Sequence, residues 1–128
     1  MTVIVTDTGF SSDDWAADLA DSEILELASD TDVADLTPAA SIRLVRVAFP
    51  AFSDGRGFSI AAALRRHGYT GPLRAVGHVL SDQYAMARRS GFDEVEISDE
   101  LAARQPEGEW QFRSNWQAFD YRARLQAG

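Results

Sequence analysis

The sequence predicts an α/β fold with a small, mainly parallel sheet. Apolar runs alternate with helical segments in the order β-α-β-α-β between residues 41 and 98, and short turns connect them. The chain has 128 residues, of which 45% are hydrophobic, as expected for one domain with its own core. Crossovers of this kind are right-handed and place their strands in parallel. An acidic N-terminal helical arm (1–40) and an aromatic-rich C-terminal segment (99–128) are expected to flank the unit.

The first half of the central unit is a strand followed by a helix. Residues 42–49 form an apolar run, and Pro50 ends it because proline cannot donate to a sheet ladder. Ser59 is expected to cap a helix over residues 59–67. Gly68 supplies the left-handed residue with which many helices end.

The second half repeats the pattern. Residues 73–76 read as a strand, and Ser81 is expected to cap a helix over 81–90 that Gly91 ends. Residues 92–97 form the third strand. The three strands together predict a small parallel sheet.

The N-terminal arm predicts one more strand and a broken helix. Val3 to Val5 give a short apolar run, so residues 2–6 read as a strand. Apolar residues recur at helical spacing across 13–28, with a break near Asp21. Residues 29–40 are rich in Asp, Ser and Thr and read as a connector.

The C-terminal segment is unusually aromatic. Phe112, Trp116 and Phe119 lie at helical spacing, which predicts a helix over 111–125; an edge strand over 109–113 is the alternative. We expect these rings to contact the core or a second copy of the chain rather than a cofactor.

Composition excludes several kinds of chemistry. The chain has neither cysteine nor lysine, so it has no thiolate, disulfide, Schiff-base amine or Walker-type lysine. Residues 1–40 carry ten acidic residues and no arginine, whereas 41–128 carry ten acidic residues and twelve arginines. This acidity argues against binding to nucleic acid or to an anionic membrane. No apolar stretch approaches the length of a membrane span and no secretion signal is evident, so a cytoplasmic location is expected.

Candidate ligand-binding residues lie where the predicted parallel strands end, because ligands of such sheets bind at the carboxyl ends of the strands. Three segments meet this condition: residues 53–59, 77–83 and 98–100. Glycine freedom, free helix amides and an arginine in the first segment would suit a small anion. The candidate residues are Asp54, Gly55, Arg56, Gly57, Ser59, His78, Asp82 and Gln83.

Other interpretations of the same residues stay open. In a purely structural one, Arg56 pairs with Asp54 or Asp82, and Ser59 only caps a helix. In an enzymatic one, Asp54 or His78 transfers a proton. The glycine pattern lacks the third glycine of a dinucleotide fingerprint, and the two histidines do not make a metal site, so no cofactor and no metal are predicted. A non-catalytic interaction module is the third interpretation.

Three motifs in order carry a family resemblance. They are Phe-Pro-Ala-Phe-Ser-Asp-Gly-Arg-Gly-Phe-Ser from Phe49, Leu-Arg-Ala-Val-Gly-His-Val-Leu-Ser-Asp-Gln from Leu73, and Ser-Gly-Phe-Asp-Glu-Val-Glu from Ser90. They resemble the bacterial domain-of-unknown-function 934 family. The matching positions are Asp54, Gly55, Arg56, Gly57, Ser59, Arg74, Gly77, Asp82, Gln83, Gly91, Phe92 and Asp93. This chain departs from many members at His78, where they have an acidic residue, and at Ser90, where they have cysteine.

The resemblance implies a function in sulfur metabolism. Family members are labelled as uncharacterised or as oxidoreductases involved in sulfite reduction, since their genes lie beside assimilatory sulfite reductase. The expected function is that of an accessory protein of assimilatory sulfite reduction, which binds a small anion or docks onto a partner enzyme. A sulfite-reduction enzyme and a second copy of the chain are the expected partners.

Overall fold

One six-stranded sheet forms the centre of the computed structural model, which describes residues 2–12, 14–34 and 36–112. The strand order is β2-β1-β6-β5-β4-β3. The strands are β1 Thr2–Thr6, β2 Gly9–Ser11, β3 Ile24–Leu27, β4 Leu44–Phe49, β5 Leu73–Gly77 and β6 Glu94–Ser98. The α-helices are α1 Arg56–Arg66, α2 Tyr84–Ser90, α3 Asp99–Arg104 and α4 Glu107–Phe112, and 3-10 helices span Trp15–Asp18, Asp21–Glu23 and Ser81–Gln83.

Strands β3 to β6 are parallel neighbours, which confirms the mainly parallel α/β fold. Helix α1 connects β4 to β5, and α2 connects β5 to β6, in the order that the sequence predicts. Both helices end at a glycine with positive φ, Gly68 at +95° and Gly91 at +120°. Those two helix ends are therefore confirmed, because the left-handed region suits a residue without Cβ.

The N-terminal arm consists mainly of strands and loops, with two short 3-10 helices where a helical arm was expected. β1 lies antiparallel between β2 and β6, and β3 extends the parallel part of the sheet at its far edge. The helix expected over 13–28 is wrong: this stretch contains two short 3-10 helices and then β3. The physical reason is sheet pairing, since Ile24 to Leu27 gain a ladder with β4 that a local helix would forgo.

Two predicted helix starts are also wrong. Helix α1 begins at Arg56, with Gly55 as its N-cap, so Ser59 lies one turn inside it. The helical stretch after β5 begins as a 3-10 helix capped by Leu80 rather than by Ser81. A carboxylate provides the reason in the first case: Asp54 Oδ1 accepts the backbone N–H of Arg56 at 3.1 Å, which starts the helix earlier.

The C-terminal alternatives are only partly covered by the described residues. Residues 107–112 are helical, so the edge strand over 109–113 is wrong as far as it can be compared. Most of the helix expected over 111–125, with Trp116, Phe119 and Tyr121, lies outside the described residues. Trp110 is buried and contacts the rings of Phe10 and Tyr84.

The apolar core lies between the sheet and the helices. Val45, Val47, Leu73, Ala75 and Val95 alternate along three neighbouring strands and point to this side. Helices α1 and α2 supply the facing layer, with Ile60, Ala61, Leu64, Tyr84 and Ala87. This arrangement leaves the carboxyl ends of β4, β5 and β6 at one edge, where the connecting loops begin.

The opposite face of the sheet, which we call the ladder face, carries a row of charges. It is formed by Glu26, Arg46, Arg74, Glu94 and Glu96 on four adjacent strands. The Arg74 side chain is only 1% exposed, and it donates hydrogen bonds to Glu94 and Glu96, each at 2.9 Å. Asp14, which lies just before the first 3-10 helix, accepts two hydrogen bonds from the Arg74 guanidinium, at 2.8 and 3.1 Å. Arg46 bonds Glu96 on one side and Glu26 on the other.

Among the described residues, no helix has the length and apolar composition needed to cross a bilayer.

Candidate functional site

The carboxyl edge of the parallel strands brings the candidate loops together. The loop after β4 and the loop after β5 meet where the His78 N–H donates to the carbonyl of Phe49 at 2.9 Å. Gly77 makes this contact possible, because its φ is +117° and a Cβ there would lie 2.7 Å from the same carbonyl oxygen. The approach of the two loops therefore depends on glycine at position 77.

Asp54 and Arg56 form a closed pair in the first loop. Asp54 accepts from Arg56 Nε at 3.0 Å and from Nη2 at 2.8 Å, in addition to the backbone amide. Arg56 Nη2 also donates to Ser29 Oγ at 3.0 Å, which ties the loop after β3 to the start of α1. The structure thus contains the Arg56–Asp54 pair of the structural interpretation, while the guanidinium remains exposed along one side.

This pairing sets the charge state of both groups. The side-chain hydrogen bonds from Arg56 hold the pKa of Asp54 far below its usual range, and the backbone bond adds to the effect. In turn, the bond to Asp54 raises the pKa of Arg56. A carboxylate that is so firmly ionised is a poor base near neutral pH, since proton transfer is most efficient when the pKa lies near the working pH.

The other members of the first motif have separate roles. Gly57 lies against the ring of Phe49, whose Cε1 would be 2.7 Å from a Cβ at that position, so the glycine lets α1 approach the sheet. Ser59 is exposed and, with Arg56, Ser29 and Asp30, lines an open groove of about 290 Å³ beside α1. Asp30 and Asp54 outnumber the single arginine there, which disfavours an anion in this groove.

A second cleft opens at the ends of β5 and β6. It has a volume of about 230 Å³ and is lined by Phe52, Gly77, His78, Ser98, Glu100, Leu101 and Arg104. The Phe52 ring is 41% exposed and stands edge-on to the His78 imidazole, with centroids 5.1 Å apart. Arg104 pairs with Glu100 at 2.7 Å, and both side chains are largely exposed. We call this the strand-end cleft.

Gln83 fixes the loops that form the strand-end cleft. Its Nε2 donates to the carbonyl of Phe52 at 3.0 Å, and its Oε1 accepts the N–H of Leu80 at 2.9 Å. Gln83 therefore holds the aromatic loop against the loop that carries His78. Asp82, its neighbour, is exposed on the 3-10 helix before α2.

The structure divides the predicted site residues between the two openings. Arg56 and Ser59 line the groove, His78 lines the cleft, and Gln83 supports it. Sequence reasoning missed Phe52 and Arg104. The sequence did contain a signal for Phe52, because it is a large aromatic residue in a loop at a strand end. Arg104 could not be found in this way, since only the fold of α3 brings it to the cleft.

No metal-binding cluster is evident in the part of the chain that the structure describes. No three His, Asp or Glu side chains there converge as a metal-binding group. Another opening, of about 320 Å³, lies at the amino edge of the sheet among Thr37, Pro38, His67 and Tyr69. None of its lining residues belongs to the three candidate loops.

The chain matches the family described as "Bacterial protein of unknown function (DUF934)" over residues 24–124. Because this match covers most of the chain, the protein belongs to that family. No curated protein matches it, and neither does any solved structure. The match to the family model is what establishes the family.

Proposed function

We propose that this protein is an accessory protein of assimilatory sulfite reduction that binds a small oxyanion in the strand-end cleft. The observation that carries the proposal is the exposed Phe52–His78 pair at the mouth of a cleft that Arg104 also lines. The link to sulfite reduction rests on the family resemblance given above. The proposal that the ligand is an anion rests on the charged side chains of the cleft.

The charges of the cleft favour an anion over a cation. Glu100 balances Arg104, but the pair is exposed, and pairs of this kind contribute little and separate readily. The Arg104 guanidinium can then present its paired N–H donors to an oxyanion in the cleft.

The size of the cleft favours a small ligand. Its volume of about 230 Å³ is below the roughly 300–1,000 Å³ of pockets that take drug-sized molecules. A nucleotide would extend beyond it, whereas a sulfite, sulfate or phosphate ion fits. Gln83 keeps the two loops in place before the ligand arrives, which reduces the entropy lost on binding.

A thermal-shift titration tests the proposal. Wild type is titrated with sulfite, sulfate and phosphate beside Arg104→Gln, with Arg89→Gln as the matched control on the exposed side of α2. At about 100 times its dissociation constant a ligand stabilises the native state by about 2.7 kcal/mol, a rise in Tm on the order of 10 °C. We expect a selective shift that Arg104→Gln reduces and Arg89→Gln leaves intact.

The same titration on Arg56→Ala separates the two openings. A shift that disappears only in this variant would move the anion to the groove beside α1. The absence of a shift with all three ions would refute the proposed ligand class.

A further inference from the structure

The strand-end cleft places hydrogen-bond donors beside an acceptor of opposite charge. Glu100 and Arg104 lie one turn apart on α3 and both line the cleft. Arg104 Nη2 donates to Glu100 Oε1 at 2.7 Å, and within the described ranges neither side chain makes another hydrogen bond. A guanidinium has five N–H groups and a carboxylate has two acceptor oxygens, so most of this capacity remains unused. A ligand in the cleft can therefore contact both groups at once.

A hydroxyl group adds a neutral donor. Ser98, the residue that caps α3, lines the same cleft, and its Oγ accepts the N–H of Leu101 at 3.1 Å. This bond uses the oxygen as an acceptor, which leaves the hydroxyl hydrogen to donate to a ligand. Among the described residues that line the cleft, donors from Arg104 and Ser98 thus lie next to a single carboxylate, that of Glu100.

This carboxylate determines which oxyanions can bind beside the guanidinium. An oxyanion that accepts from Arg104 lies near Glu100, because the two side chains are in contact and stay one helical turn apart when they separate. If the anion carries no proton, its oxygens are only acceptors, so they face the carboxylate with like charge and no hydrogen bond. If the anion carries a proton, its O–H donates to the carboxylate in a short, charge-assisted hydrogen bond. The carboxylate therefore rejects one class of anion and recognises the other.

We propose that the strand-end cleft selects oxyanions that carry a proton, such as hydrogensulfite and dihydrogen phosphate, and rejects sulfate. Glu100 determines this specificity, while Arg104 neutralises the charge of the ion and Ser98 donates to a second oxygen. The selectivity rests on the anion site proposed above. Attraction to Arg104 alone would produce the opposite order, because sulfate carries two negative charges and the protonated ions carry one.

The test is an NMR titration of the full-length, ¹⁵N-labelled protein with sodium sulfite, phosphate and sulfate at about pH 6.5 and constant ionic strength. At this pH most sulfite and phosphate ions carry a proton, and sulfate carries none. The amide signals of Ser98 and Leu101 and the Nε–H signal of Arg104 report binding at the cleft. We expect sulfite and phosphate to bind roughly tenfold more tightly than sulfate, which corresponds to one hydrogen bond to a charged group.

Glu100→Gln and Asp99→Asn are the matched variants. Each removes one exposed carboxylate from the first turn of α3, but only Glu100 lines the cleft. Glutamine keeps the size of the side chain and removes its charge, so the Kd for sulfate should fall to within about threefold of the Kd for phosphate. Asp99→Asn should keep the preference of wild type. His78 is the same in all three proteins, so its charge state does not affect a comparison at one pH.

Three results would overturn the selectivity, and a fourth would also refute the proposed function. The three are equal Kd values for all ions in wild type, a preference that Glu100→Gln leaves unchanged, and a preference that Asp99→Asn relaxes as much as Glu100→Gln does. Each of them leaves the anion site in place. The fourth is the absence of saturable shifts with all three ions, which would refute the anion site itself. Far-ultraviolet circular dichroism checks that both variants are folded.

Discussion

Replacing Arg74 by methionine should destabilise the protein far more than the same change at an exposed arginine. The Arg74 side chain is 1% exposed and contacts three carboxylates, from Asp14, Glu94 and Glu96. Methionine replaces the aliphatic part of the arginine side chain but has no guanidinium, so it removes the charge and every hydrogen bond. The buried Glu94 and Glu96 would then lose their principal cation.

The size of the effect follows from burial. Breaking a buried ion pair by removing one partner costs about 3–5 kcal/mol, because a charge is left buried without compensation. Glu96 keeps Arg46, at 3.1 Å, and Asp14 is exposed enough to be hydrated. The penalty therefore falls mainly on Glu94, and we expect a loss of about 3 kcal/mol at pH 7.

The loss should shrink as the pH falls. Without its cation, a buried carboxyl has a raised pKa, so the native variant binds protons that the unfolded chain does not, and its stability rises on acidification. Wild type behaves oppositely. Hydrogen bonds from Arg74 lower the pKa of Asp14, so this group stabilises the fold above its ordinary pKa and ceases to do so as the pH falls.

Urea unfolding followed by far-ultraviolet circular dichroism at pH 7.5 and pH 5 measures both effects. Arg89→Met, an exposed change on α2, is the control and should stay within about 0.5 kcal/mol of wild type. A loss below about 1 kcal/mol in Arg74→Met, or one that is equal at the two pH values, would refute the reasoning.

Three further predictions concern other parts of the chain. Asp14→Asn should cost under about 1 kcal/mol at pH 7 in urea unfolding, and the difference from wild type should shrink as the pH falls below 3.8, the ordinary pKa of the group. Gly77→Ala should lower stability by about 1–3 kcal/mol in the same assay, because its Cβ meets the Phe49 carbonyl and its φ is strained; a neutral change would contradict this. Tyr84→Phe removes a 2.5 Å hydrogen bond to Asp7 and should lower the free energy of unfolding by about 1 kcal/mol, which is measured as a lower Tm. An unchanged Tm would show that the bond adds nothing to stability.

The central unit could be predicted because its signals are local. Pro50, Gly68 and Gly91 end their elements through backbone chemistry that each residue carries alone. β3 could not be predicted, since Ile24 to Leu27 become a strand by pairing with β4 across a connector of sixteen residues, 28–43. Helical spacing in 13–28 indicated only that the apolar residues recur, and sheet pairing outweighed it.

The candidate site shows the same division. The rule for parallel strands placed the loops at one edge, and the Arg56–Asp54 pair was among the alternatives. The role of Gln83 as a bridge to Phe52 could not be read from the chain, because it depends on the distance between two loops. The partners of Arg74 depend in the same way on strand register.

The ladder face also constrains how this sequence can change. On the helix side, one aliphatic residue can replace another with local repacking. On the ladder face, Arg74 and Glu94 are buried together, so a substitution at one of them is tolerated well only with a compensating substitution at the other, whereas the more exposed Asp14 can change alone. Sequence drift at the buried pair should therefore proceed through paired replacements, and a variant library that samples these two positions singly would find mainly destabilised members.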